Sequence, residues 1–451
     1  MLSAEARVGA RPGLRMITLI NIIPCVFSIV RRAISKVRAF VSRLRRLGVR
    51  LLLAFAALQA ALVGVLVAMA ELRKRRREPR DGFPWEDLPE LELEDGDCTL
   101  KLYAYGVKLY EDMLREIERA RERILLETFI WKGDAVGRRF VEALARKARE
   151  GVEVYVIFDG FANLVVPSDF KRFPKEIHTL HFRPFDHPAR ALDPRGVFRD
   201  HRKILAVDGR VAFIGGYNIG SLYERSWRDT HLRVRGSEVR EVENAFIDFW
   251  NAHRTPELPP IEPKGERAWN AHLVLHRNDP YLRIFPIRGM YLEAIDRATR
   301  RIYLTHAYFV PDRAMRAGLV EAAKRGVDVQ VLLPEQSNHV TADWLSRRHF
   351  HELLSAGVRI FRYKHIMIHS KTATIDGVWS TVGTANIDRF SLLGNYEINL
   401  EIYSRRFAAQ MERMFELDKT NAEELTLEEW GRRPLAAKLA ERALATLSPL
   451  V

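Results

Sequence analysis

"HRKILAVDGRVAFIGGYN", residues 201–218, and "HSKTATIDGVWSTVGTAN", residues 369–386, are one phrase written twice. Each reads His-x-Lys, four residues, Asp, six residues, then Gly-(Gly/Thr)-x-Asn, and the copies start 168 residues apart. In both, an apolar run, an Asp-Gly pair and a second apolar run predict strand, turn, strand. The repetition extends upstream. Leu114, Ile117, Ala120 and Ile124 correspond to Leu292, Ile295, Ala298 and Ile302 at a constant offset of 178, helical spacing leading into a strand. "GVEVYVIFDG" from Gly151 and "GVDVQVLLPE" from Gly326 read as buried strands, each preceded by a helix. Downstream, Asp229 lies 28 residues after His201, and Glu397 lies 28 residues after His369.

Strands alternating with helices favour an α/β sheet in each half. The expected architecture is two such domains, each a β-sheet flanked by helices, related by a pseudo-dyad that brings matching strand ends to one site. The boundaries read as a basic membrane-anchoring region over 1–80, an acidic linker over 81–96 and a first domain over 97–254. A Pro-rich joint follows over 255–264, then a second domain over 265–430 and an amphipathic tail over 431–451.

The chain has 451 residues and a formal charge of +14. Residues 1–80 hold 17 Lys and Arg against three acids, leaving 55 of each sign in the rest. A domain that grips duplex nucleic acid would be expected to carry its own basic excess, so no nucleic-acid partner is expected. Two cysteines, Cys25 and Cys98, offer neither a disulfide framework nor a cysteine-based zinc site.

"LLLAFAALQAALVGVLVAMA", residues 51–70, contains only Gln59 as a strongly polar side chain. Twenty residues at about 1.5 Å each match a hydrocarbon core of about 30 Å. Its flanks, "RLRRLGVR" and "RKRRREPR", suit anionic headgroups; being positive on both sides, they leave orientation open. A shorter apolar segment, 16–30, contains Pro24 and reads as a short span, a re-entrant piece or a signal-like segment. Between them Ile34, Val37, Val41 and Leu44 repeat at three and four among basic residues, as in an interfacial helix. Residues 1–15 show no pattern, so either Met1 or Met16 can be the start. In the tail, Leu435, Leu439, Ala443 and Leu447 recur at four-residue steps, suited either to a membrane surface or to docking on the core.

Two histidines delivered symmetrically to one cleft suit double displacement at phosphorus. One imidazole attacks and becomes a phosphohistidine; the other protonates the leaving alkoxide and then deprotonates the incoming alcohol or water. Lys203 and Lys371 can hold the non-bridging oxygens. On a strand each lysine shares a face with the histidine two residues before it. Asp229 and Glu397 are expected to orient the histidines, with the pairing open. Asp208 and Asp376 are expected to support the loops. Asn218 and Asn386 are expected to bind phosphate or to brace the histidines. Histidine with Asp or Glu can also ligate zinc, but two lysines in the pocket would repel a cation. No metal and no cofactor are expected.

At these residues the sequence resembles the phospholipase D superfamily, with two HKD motifs: His201, Lys203, Asp208 and His369, Lys371, Asp376. Within it the chain is most similar to bacterial cardiolipin synthases over nearly all of 97–430, through "ETFIW", "FRDHRKILAVDGRVAFIGGYN", "WRDTHLRV", "YFVPD", "GVRIFRY" and "HSKTATIDG". The family motif has Ser after its Gly; here Gly216 and Thr384 stand there. The resemblance implies that the motif aspartates count with the catalytic set, that His201 is the nucleophile and that His369 is the general acid and base. It implies a phosphatidyltransferase at the bacterial cell membrane, its catalytic domains on the cytoplasmic side. Phosphatidylglycerol would be the donor, glycerol the leaving group and a second phospholipid the acceptor. A hydrolytic phospholipase D producing phosphatidic acid is the alternative, followed by an HKD-type nuclease or phosphodiesterase; a non-catalytic scaffold is disfavoured by two intact motifs.

Overall fold

The computed structural model describes residues 16–76, 82–93, 98–164, 166–167, 170–183, 198–263 and 272–444. The choice between Met1 and Met16, residues 81 and 94–96 of the expected linker, residue 97 at the first domain boundary, residues 264–271 at the second and the tail beyond 444, with Leu447, lie outside the described residues. The chain divides into two compact units, Met1–Met69 and Ala70–Val451.

The first unit is built on one helix, Met16–Arg76, which takes in both apolar segments and the basic stretch between them. The sequence reading broke this region into three pieces. Beyond Pro24 no proline interrupts the backbone until Pro79. Ile34–Met69 is apolar and long enough to cross a membrane, by length and composition. Leu51, Leu52, Leu53 and Leu58 are each more than 60% exposed, whereas a soluble helix would turn such residues onto a core.

The second unit holds two eight-stranded sheets. The first comprises β1 (Leu91–Glu92), β2 (Cys98–Tyr103), β3 (Arg123–Thr128), β4 (Glu153–Asp159), β5 (His178–Phe182), β6 (Ile204–Val207), β7 (Val211–Gly215) and β9 (His231–Gly236), in the order β1-β2-β9-β7-β6-β3-β4-β5. The short β8 (Trp227–Arg228) stands outside it. The second comprises β10 (Leu273–Asn278), β11 (Arg301–His306), β12 (Asp328–Pro334), β13 (Arg359–Tyr363), β15 (Lys371–Ile375), β16 (Trp379–Gly383), β17 (Glu397–Tyr403) and β18 (Ala422–Leu425). Its order is β10-β17-β16-β15-β11-β12-β13-β18, and β14 (Met367–Ile368) pairs with β8 instead. Seven strands of each sheet correspond in order and direction: three parallel, β3-β4-β5 and β11-β12-β13, then four antiparallel.

Parallel neighbours need a crossover, here a helix. Ala135–Arg149 links β3 to β4, and Arg313–Lys324 links β11 to β12. Both start on an aspartate N-cap: Asp134 accepts from Gly137 N at 3.0 Å and Asp312 from Met315 N at 2.9 Å. The antiparallel sides of the two sheets share one apolar core. Ile214, Leu232 and Val234 of one half pack in it with Val382, Ile398 and Leu400 of the other, and with Phe246 and Phe407 from the helices Val239–His253 and Arg405–Lys419. The halves are therefore not separable.

The stretch read as a linker is docked on this unit. β1 pairs antiparallel with β2, and Phe83, Leu88 and Leu93 are buried. In the tail, the helix Leu435–Leu444 docks through Ala440 and Leu444, and Glu441 pairs with Arg347 and Arg433; Leu435 and Leu439 of the predicted stripe stay exposed.

Candidate active site

His201 and Lys203 immediately precede β6, and His369 precedes β15, where Lys371 is the first residue. Strand alternation sends each histidine and its lysine to the same side. Each half then hands its histidine to the other. Asp200 pairs in parallel with Tyr396, and His201 N donates to Tyr396 O at 3.0 Å. Symmetrically, β14 pairs in parallel with β8, and His369 N donates to Arg228 O at 2.6 Å. The residue after each acceptor is the carboxylate. His201 Nδ1 lies 2.9 Å from Glu397 Oε2, and His369 Nδ1 lies 2.6 Å from Asp229 Oδ2. The pairing that sequence left open is thus crosswise.

The lysines fold back on their own histidines. Lys203 Nζ donates to His201 O at 2.6 Å, while Lys371 Nζ donates to His369 O and sits 3.0 and 3.2 Å from the two ring nitrogens of His369. All six groups are buried. With Nδ1 of each histidine engaged, Nε2 is the nitrogen left for chemistry.

Burial dominates the electrostatics, because it penalises every charged form. It drives His201 well below its ordinary value, aided by Lys203 and Lys371, and drives His369 down to about 3, aided by Lys371. It lowers Lys203 to about 7 and Lys371 to about 8. The carboxylates diverge. Burial acts upward on both, raising Glu397 to about 7 against the pull of Lys203. For Asp229, Lys371, His369 and the Thr230 N–H outweigh burial and hold it below the usual carboxylate range.

The two variant motif positions follow the same divergence. Thr384 Oγ1 donates to Glu397 Oε2 at 2.5 Å. At Gly216 a Cβ would stand 2.1 Å from Asp229 Oδ1, so the carboxylate fills the space that a side chain would need. The shorter acid goes with glycine and the longer with a hydroxyl.

Asp208 and Asp376 do not join this cluster. They lie at the other ends of β6 and β15, about 20 Å from the histidines along the strand. Asp208 accepts from the backbone N–H groups of Arg121, Glu122 and Arg123, and Asp376 from those of Thr299, Arg300 and Arg301. Both have positive φ, 52° and 55°, conformations that aspartate tolerates in turns. They tie the β6–β7 and β15–β16 turns to the starts of β3 and β11. Asn218 Oδ1 accepts from Ile130 N at 3.0 Å and Asn386 Oδ1 from Tyr308 N at 3.3 Å, so each braces the segment leaving the parallel strand.

Several residues escaped sequence reasoning. Phe129 stands edge-on to His201 at 4.7 Å, and Trp227 and Tyr308 flank His369 at 4.9 and 6.1 Å. Behind His201, Arg202 pairs with Glu127 and Asp200; behind His369, Arg228 makes a two-pronged pair with Asp418 at 2.9 and 2.8 Å. A buried charge beside a reactive histidine within an apolar strand is a readable signal, and the phrases "FRDHRK" and "WRD" contain it. Among the described residues no cluster of three or more His, Cys, Asp or Glu is arranged to hold a metal.

Comparison with known proteins places this geometry. The family described as "Cardiolipin synthase, PLD-like domain" matches residues 113–250 and 291–419, one segment in each half. The cardiolipin synthase of Clostridium perfringens strain SM101 is 32% identical over 370 residues, 78% of this chain and 77% of that protein. The major cardiolipin synthase of Bacillus subtilis strain 168 is 31% identical over 371 residues, 79% and 76% of the two chains. Cardiolipin synthase 1 of Staphylococcus aureus strain COL is 33% identical over 360 residues, 77% and 72%. Among solved structures, phosphatidylserine synthase of Haemophilus influenzae superposes with a TM-score of 0.61 over 81% of this chain and 95% of its own, at 13% identity, a likeness of fold. With the duplicated half-sites and relatives above 30% identity over more than three quarters of its length, the chain belongs to the cardiolipin synthase family of phospholipase D-like proteins.

Proposed function

We propose that this protein is a membrane-anchored phosphatidyltransferase that makes cardiolipin from phosphatidylglycerol. The crosswise histidine–carboxylate pairing carries the reading, because it engages Nδ1 of both histidines and leaves each Nε2 for chemistry, with Lys203 and Lys371 buried beside them. In the first step His201 Nε2 attacks the phosphorus of phosphatidylglycerol. The P–O bond to glycerol breaks as the departing oxygen takes a proton from His369, giving a phosphatidyl-histidine and free glycerol. In the second step His369 removes the proton of an incoming lipid hydroxyl, whose oxygen displaces His201 from phosphorus. Lys203 and Lys371 hold the non-bridging oxygens throughout.

The ground-state electrostatics support this division of labour. Burial lowers both lysines, and an arriving diester anion opposes it, favouring their ammonium forms and an imidazolium at His369. The ionised Asp229, 2.6 Å from His369, favours that imidazolium more than Glu397 would. The apolar helix would hold the enzyme at the bilayer that contains its substrate, with the catalytic unit on the cytoplasmic side.

The test is product analysis by mass spectrometry, using purified full-length protein, phosphatidylglycerol vesicles and EDTA. Cardiolipin with about one glycerol released per molecule is the expected result. Phosphatidic acid alone would make the protein a hydrolase, and no lipid turnover would end the reading.

A further inference from the structure

The ends of the strands that deliver the histidines carry apolar side chains outward and carboxylates inward. In the second half, Asn278 of β10 is the register partner of Glu397, and the chain then turns through Asp279–Ile284. The turn is built rather than loose. Asp279 and Ile284 exchange both backbone hydrogen bonds, at 2.8 and 3.0 Å, and Asp279 Oδ1 accepts from Leu282 N at 3.0 Å. It nonetheless shows Tyr281, Leu282 and Ile284 at 64, 61 and 52% exposure. Asn278 Nδ2 donates to Ser391 O at 2.9 Å, joining this turn to the helix Arg389–Leu393, whose Phe390 and Leu393 are also exposed.

The first half repeats the pattern at the same end of its sheet. Leu222, 168 residues before Phe390, is exposed on the matching helix, Ser221–Arg225. Phe161 and Leu164 follow the end of β4, where Asp159 accepts from Asp200 N, next to His201. Arg199 lies over the Phe161 ring at 3.6 Å.

The charges on these segments are sorted by sign. Arg225, Arg283 and Arg389 are exposed, interleaved with the apolar side chains. The carboxylates are turned to structural tasks: Asp279 caps its turn, Asp388 caps its helix at Ser391 N, and Glu224 pairs with Arg139. A rim facing only water gains nothing from this arrangement, whereas an anionic lipid surface rewards both parts: apolar groups entering the acyl boundary and guanidinium groups at the headgroups.

We propose that this rim, led by the Asp279–Ile284 turn and the helix Arg389–Leu393, is a second membrane contact that seats the active-site mouth on an anionic lipid surface. The inference rests on the reading of a lipid substrate, and it adds a contact made by the catalytic unit itself rather than by the N-terminal helix.

The test uses the full chain in vesicles of phosphatidylglycerol and phosphatidylcholine. In a Cys25→Ala/Cys98→Ala background, single cysteines from Leu282→Cys, Phe390→Cys or Val378→Cys carry a polarity-sensitive fluorophore. Val378 lies in the β15–β16 turn, at the far end of the sheet. Labels at 282 and 390 should report an apolar environment and be quenched by lipid-borne quenchers, while the label at 378 stays wet. Labels at 282 and 390 that stay as wet as the one at 378 overturn the proposal, and this reading does not depend on turnover. As a second measurement, Leu282→Asp/Phe390→Asp should lower turnover of vesicle phosphatidylglycerol about 10²-fold, the lower end of the scale of withdrawing two large apolar side chains from lipid. Turnover of a short-chain, monomeric phosphatidylglycerol should be unchanged. An equal fall on both substrates, or none on vesicles, overturns the proposal. Failure of the wild-type protein on both substrates, with labels at 282 and 390 still dry, would instead remove the assigned reaction and leave the membrane contact standing.

Discussion

The two halves share a backbone plan and differ in what fills it. Each sends a strand segment across the dyad to support the other's histidine, through Tyr396 beside His201 and Arg228 beside His369. Tyr396 enters the first half's core and packs against Phe182, Phe249 and His253 at 5.9, 5.0 and 5.5 Å. Arg228, its counterpart 168 residues earlier, enters the second half as a fully buried cation and meets Asp418. One crossing is aromatic, the other ionic. The acids that follow differ as well: Glu397 with a threonine hydroxyl, Asp229 with a glycine. A duplicated fold supplies symmetric positions, and single side chains then make the two histidines unequal.

The strongest test of that inequality is at the histidines. His201→Ala and His369→Ala should each lower turnover by at least about 10³-fold, since one removes the nucleophile and the other the proton carrier. Trapping separates them. Quenched during turnover in alkaline denaturant, because acid cleaves the P–N bond, the wild-type protein should carry a phosphatidyl adduct on His201, and an adduct on His369 would exchange their roles. Next in size is the contrast between the crossings. Asp418→Asn leaves the Arg228 guanidinium buried without its counter-charge and should cost about 3–5 kcal/mol in unfolding free energy. Tyr396→Leu, which removes the aromatic packing, should cost about 2 kcal/mol. Equal midpoint shifts in urea for the two variants would erase the distinction.

Much of this was legible because repetition converts a weak motif into a geometric statement. The 178-, 175- and 168-residue offsets identified β3, β4, β6 and β7 with β11, β12, β15 and β16, and gave Asp229 and Glu397 equivalent positions, Glu397 at the start of β17 and Asp229 between β8 and β9. The crosswise pairing was not legible. It joins residues 196 and 140 positions apart, and spacing cannot say which of two equivalent acids reaches which histidine. Nor could periodicity find β1 within an acidic stretch, since two residues of edge strand carry no pattern. The unbroken helix Met16–Arg76 was hidden for a different reason. Hydropathy changes along it from apolar to basic and back, but the backbone responds to helix breakers, and after Pro24 it meets none.

The acids should separate by pH as well as by rate. Asp229→Asn removes an ionised partner and should lower kcat about 10²-fold; Glu397→Gln should cost about tenfold. Burial raises Glu397 to about 7. As pH falls through that value, Glu397 gains a proton and donates it to Nδ1 of His201. Nε2 then carries the hydrogen and cannot attack. As pH rises through about 7 and about 8, Lys203 and Lys371 lose charge and the diester is held less well. The profile of kcat/KM should therefore be a narrow bell, the groups titrating as a coupled set. Glu397→Gln should flatten the acid limb and keep the alkaline one. Should the acid limb survive in that variant, Glu397 is not its source.

The smallest expected effect is the most local. Thr384→Val keeps the shape of the side chain and removes a hydroxyl that donates to Glu397 Oε2. A net hydrogen bond of about 1 kcal/mol corresponds to about fivefold, and the loss should fall on kcat through the acid limb. Without the hydroxyl donor the ionised form of Glu397 is less well supported, so its pKa rises and the acid limb moves to higher pH. The first half provides the control. Gly216→Ala places a methyl group where Asp229 Oδ1 now sits. It must displace the carboxylate from His369 and should cost more than Thr384→Val, without moving the acid limb assigned to Glu397. If the two variants shift the acid limb alike, the two half-sites are equivalent after all, and the difference between threonine and glycine carries no functional meaning.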